Sequence, residues 1–130
     1  MWYMRQDEFF NSQIDALILQ CKDYELERVS SKAMILEAED KTYKQYVYTI
    51  VSEIDHKEKT IKLNSGGRET MTTKRHINDS INQYWFDLIQ KDFTWYIVKN
   101  RDYPTGKKDL QSKLESGQII EFTDNMILKY

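Results

Sequence analysis

One proline, four glycines and one cysteine in 130 residues leave this chain little to break or crosslink it. The single thiol, Cys21, cannot form an internal disulfide, which fits a reducing compartment. No long hydrophobic run exists. The longest, such as Ala33-Met34-Ile35-Leu36, falls far short of the ~20 residues a membrane-crossing helix needs. Asp7 and Glu8 interrupt the amino-terminal region before an apolar segment can build, so no secretory signal is expected and the expected location is the cytoplasm. Internal repeats, low-complexity tracts and linkers are also missing, so residues 1–130 read as one domain.

Chemical signatures are equally sparse. Cys21, His56 and His76 form no C-x-x-C or H-x-x-x-H pair, so no metal site is expected. Ser65-Gly66-Gly67-Arg68 lacks the spacing of a phosphate-binding loop, and no G-x-S-x-G elbow is present. Cys21 falls on an apolar stripe with Leu17 and Ile18, where a buried, inert thiol is expected. The sequence therefore predicts no catalytic residues, no cofactor and no enzyme.

What is present is charge and aromatic area. Charged residues make up 31% and apolar residues 40%, enough for a core beneath a well-solvated surface. The net charge of −2 argues against a general polyanion binder, but it hides an asymmetry. Residues 1–55 carry 11 acids against 6 bases, whereas residues 56–80 carry 3 against 6. Seventeen aromatic side chains exceed what one small core readily absorbs, and the surplus suits a contact face.

Periodicity supplies the expected elements. Phe10, Ile14, Leu17, Ile18 and Cys21 share helical spacing, predicting an amphipathic helix over Arg5 to Arg28. Strands are expected over Ala33–Glu39, Tyr43–Asp55 and Thr60–Asn64, with turns at Asp40-Lys41 and 56–59. Ile77, Ile81, Tyr84, Trp85, Leu88 and Ile89 fit a period of 3.6, so a second helix is expected to run on through them, capped by Thr72 or Thr73. His76 would then occupy its first turn, neutral and partly buried, as a joint between helix and sheet. A short helix over Lys107–Ser116 with Gly117 as its stop, and short strands over 118–122 and 126–130, complete the chain. The expected fold is α+β: an antiparallel sheet of three to five strands packed by the amino-terminal and central helices on one face.

Tyr46-x-Tyr48-Thr49-Ile50-Val51, a hairpin, and then Thr72-Thr73-Lys74-Arg75-His76-Ile77-Asn78 resemble a pattern in an uncharacterised family of small phage and plasmid proteins. Those proteins carry a Tyr/Thr strand motif and a Thr-Thr-x-Lys/Arg-His-Ile/Leu-Asn helix start. The match spans about residues 46–82 and departs from the strand motif, because Thr49 follows Tyr48 without a spacer. The resemblance implies a mobile-element origin, in a bacterial host cell, and gives no catalytic residue. Small phage proteins of this kind often bind host proteins, and some inhibit CRISPR nucleases by occupying a nucleic-acid-binding surface.

Two functions follow as expectations. In the first, a non-enzymatic, anti-CRISPR-like binding protein masks a host complex, with Asp15, Asp23, Glu25, Glu37 and Glu39 standing in for phosphates and Tyr43, Tyr46 and Trp95 anchoring the contact. In the alternative, Lys57, Lys59, Lys62, Arg68, Lys74 and Arg75 form a patch that grips nucleic acid. No membrane partner is expected.

Overall fold

A computed structural model describes residues 13–68, 70–99 and 101–130, the side chain of Asp15 excepted. Its first element, α1, is short: Ile14–Ile18. The part of the expected long helix before residue 13 lies outside the described residues, and its other end is a strand. Tyr24-Glu25-Leu26-Glu27-Arg28 alternates apolar and charged side chains with period 2, and it forms β1 (Tyr24–Arg28).

Antiparallel hairpins follow. β2 spans Ala33–Ala38, β3 Lys41–Tyr46, β4 Thr49–Asp55 and β5 Thr60–Leu63. The expected single strand from Tyr43 to Asp55 is two, because the chain reverses at Val47-Tyr48 and Tyr46 pairs with Thr49. Val47 reverses it with φ +57, an unusual backbone for a β-branched residue.

After a loop, α2 spans Met71–Asn82. The helical spacing of Leu88 and Ile89 does not continue it. The helix ends at Asn82, and Phe86–Lys91 becomes β6, paired with β7 (Thr94–Lys99). α3 spans Lys107–Ser116 and ends, as the sequence suggests, at Gly117 in the left-handed conformation. β8 (Ile119–Glu121) and β9 (Met126–Lys129) close the chain.

These strands form two sheets. The larger has six strands in the order β1-β2-β3-β4-β5-β9, the smaller three in the order β6-β7-β8, and every pairing is antiparallel. The expected architecture, one sheet of three to five strands packed by two helices, is thus corrected. The molecule is mostly sheet, and its helices are small. They also do not share a face. Leu36 and Tyr43 are cross-strand partners and pack with Ile14 of α1 and Met34. Ile54 and Ile61, one position along the pleat, point the other way and pack with Ile77 and Ile81 of α2. Phe86, Leu88 and Ile97 of the small sheet join that second core, so α2 lies between the two sheets. Among the described residues no helix is long and apolar enough to cross a membrane.

Candidate functional site

α2 begins where Thr70, and neither Thr72 nor Thr73, caps it: Thr70 Oγ1 accepts from the Thr73 N–H at 3.2 Å. Asp124 ties the preceding loop down, accepting from Ser65 N at 2.7 Å and Ser65 Oγ at 2.8 Å. Burial alone would raise the Asp124 pKa. Hydrogen bonds from Ser65 and Gly67, with the nearby Lys74 charge, outweigh it and hold the carboxyl below its usual value. Gly66 has φ +66 and runs against Thr49 so closely that a Cβ would collide with its side chain.

His76 sits one turn into α2 and is 7% exposed. Its ring stacks on Tyr46 at 4.4 Å, and its carbonyl accepts from Lys44 Nζ at 3.3 Å and Ser80 Oγ at 3.1 Å. Ser80 in turn meets Ser52 of β4 at 2.9 Å. Burial, then the Lys44 and Arg75 charges, lower the imidazole pKa, and Asp79 opposes them. The arrangement fastens helix to sheet. Lys44 is its unanticipated member. Buried on β3, it is held below the usual lysine pKa by burial first and by Arg75, against Asp79. Its strand pattern carries no sign that a lysine would point inward.

The six candidate cations do not form one patch. Lys57 and Lys59 occupy the turn before β5, whereas Arg68 lies in the loop beyond its other end. Lys62 is exposed on the pleat face opposite Ile61 and Leu63. Lys74 is 2% exposed, with its ammonium 4.0 Å from the Phe122 ring centroid and 5.4 Å from that of Trp95. Arg75 alone of the helix pair faces solvent.

The candidate acids do converge. Register places Glu25 directly opposite Glu37, and Tyr24 opposite Ala38, so Asp23 lies beside the β2–β3 turn that holds Glu39 and Asp40. Glu27 extends the row on the same pleat face as Glu25. Asp23, Glu25, Glu27, Glu37, Glu39 and Asp40 are all exposed, and none has an ion-pair partner among the described residues. The Asp15 side chain lies outside the described ones. The expected aromatic anchors sit elsewhere: Tyr43 is buried against α1, Tyr46 covers His76, and Trp95 covers Lys74. Tyr24 and Leu26, on the other pleat face of β1, are the exposed apolar groups beside the acids. Their alternation with Glu25 and Glu27 was the available signal.

No family model, curated protein or solved structure matches the chain.

Among the described residues no cluster of histidine, cysteine and acid side chains has the makings of a metal site. Cys21 is half-buried, with its thiol directed at the Leu17 carbonyl, 3.2 Å away.

Proposed function

We propose that this chain is a small binding protein of phage or mobile-element type, non-enzymatic, that masks a basic surface of a host complex through β1, an outermost described strand of its large sheet. The observation that carries the reading is β1. All five of its residues are exposed, it pairs with one strand among the described residues, and it sets Glu25 against Glu37. Like charges directly opposed on a sheet destabilise it, and no base within the described residues offsets this pair. A partner rich in lysine and arginine would. An edge unpaired among the described residues also offers backbone N–H and C=O groups to an extended segment, with Tyr24 and Leu26 as side-chain contacts. A row of carboxylates spaced along a strand suits a channel built for phosphates, such as that of a defence nuclease.

Affinity capture from a bacterial lysate, followed by a cleavage assay on any nucleic-acid-handling complex retained, tests this. The triple variant Glu25→Lys, Glu27→Lys, Glu37→Lys should lose retention and inhibition at least tenfold while keeping its fold. Equal retention by the variant, or no retained complex at any salt concentration, refutes the reading.

A further inference from the structure

A second site lies where the two sheets meet beyond the end of α2. A cleft of about 470 Å³ is walled there by Gln83, Tyr84, Trp85, Lys99, Lys129 and Tyr130, with Phe86 at its base. That volume is in the range of small-molecule sites. Its lining has two features that the rest of the structure does not require.

The first is Trp85. It stands at φ +68, in the left-handed position just past a helix end that glycine normally fills. Its indole is nonetheless 65% exposed, so core packing does not explain a large ring at a backbone position that disfavours any side chain. Tyr84 and Tyr130 pack on each other beside it, with ring centroids 4.1 Å apart. Non-glycine residues held in this conformation concentrate where ligands bind.

The second is charge. Lys99 and Lys129 enter the lining and, among the described residues, no acidic side chain does, although the Glu37 charge reaches Tyr84 and acids outnumber bases in the chain as a whole. Arg101 adds a third cation, its guanidinium carbon 5.6 Å from the Trp85 ring centroid, and it is anchored by Asp87 at 3.6 Å. Aromatic planes flanked by cations are what a base with its phosphate needs: stacking for the ring, and lysine ammonium groups for the anion.

We infer that this cleft binds a nucleotide, its base stacked on Trp85 and the Tyr84–Tyr130 pair and its phosphate held by Lys99 and Lys129. The ligand is either a free mononucleotide or the terminal nucleotide of a single strand. Calorimetric titration of the full chain with AMP, with ATP and with a single-stranded 12-mer separates these sources. Adenosine and inorganic phosphate serve as the two half-ligands. Saturable binding is expected in at least one nucleotide arm, at least tenfold tighter than either half-ligand. Trp85→Gly should weaken it tenfold or more while leaving the melting temperature unchanged or higher, because glycine suits that backbone. Lys99→Glu with Lys129→Glu should weaken it similarly and remove most of its salt dependence. Asp23→Lys with Glu27→Lys, which spares the Glu37 carboxylate whose charge reaches Tyr84, should bind as the parent does, which separates this site from the acidic edge. Absence of binding in every nucleotide arm at millimolar ligand overturns the inference. So does parental affinity in Trp85→Gly, or a marked loss of stability in that variant, which would make the indole structural.

Discussion

Phe93 and Val47 show how differently one kind of backbone strain can be compensated. Each holds a left-handed conformation, at φ +67 and +57. Val47 is nearly buried, so its side chain gains from the core what the backbone loses. Phe93 is 94% exposed at the tip of the β6–β7 hairpin, behind Asp92 at φ +49. Two left-handed residues in a two-residue loop are the pattern that favours Asp-Gly. Phe93→Gly should therefore stabilise the protein by about 0.5–1 kcal/mol, the relief of left-handed strain less the extra freedom glycine brings to the unfolded chain. A rise in the urea midpoint at constant slope is the expected reading. A fall would mean the phenyl ring makes a contact that matters to the fold. Residue identity alone hides these positions, because nothing local marks Phe93 as a turn residue.

At the scale of the element, α2 shows why period alone misplaced a boundary. Ile81, Tyr84, Trp85 and Leu88 do repeat at helical spacing, yet the chain leaves the helix after Asn82. Two side chains make the alternative favourable. Asn78 Oδ1 accepts from Leu88 N at 2.8 Å, and Asn82, in the amide orientation that satisfies both its atoms, donates to Phe86 O at 2.9 Å. Leu88 then enters the core from a strand, opposite Ile97. The same helix carries a pH dependence. The folded pKa of His76 lies below the 6.5 of the free side chain, so as pH falls the unfolded chain takes up this proton first. Its contribution is complete above pH 6.5 and declines as the pH drops from there toward the folded pKa. Urea midpoints between pH 7.5 and 5 should fall, and His76→Leu should flatten the slope. An unchanged slope in the variant would assign the effect to other groups.

For the whole molecule, the carboxy-terminal residues are the link that makes two sheets one body. β8 joins the small sheet and β9 the large one, only a few residues apart. The Phe122 N–H donates to Trp95 O at 2.8 Å, and the Asn125 N–H to Leu63 O at 2.7 Å. Between them Asp124 holds the loop that starts α2. The large sheet keeps a smaller cluster of its own against α1, but the main core is drawn from both sheets and α2, so the small sheet has no separate interior to keep it folded alone. Unfolding of a Trp2→Phe variant followed by tryptophan emission, which then reports Trp85 and Trp95, and by far-ultraviolet circular dichroism, weighted to the large sheet, should give coincident curves. Separated midpoints would show two independent units.

Local pattern alone was enough for β2, β5, α3 and its Gly117 stop, and for the acidity of the stretch that contains Asp23, Glu25, Glu37 and Glu39. Period, turn chemistry and charge act over a few residues, so one chain segment is sufficient to read them. Tertiary structure decided which sheet each strand joins, which pleat face each helix covers, and that Lys44 and Lys74 lie buried while Trp85 does not. It also scattered the six cations and aligned the acids. Those outcomes depend on cross-strand register and on packing between distant segments, and these interactions exist only once the chain has closed on itself.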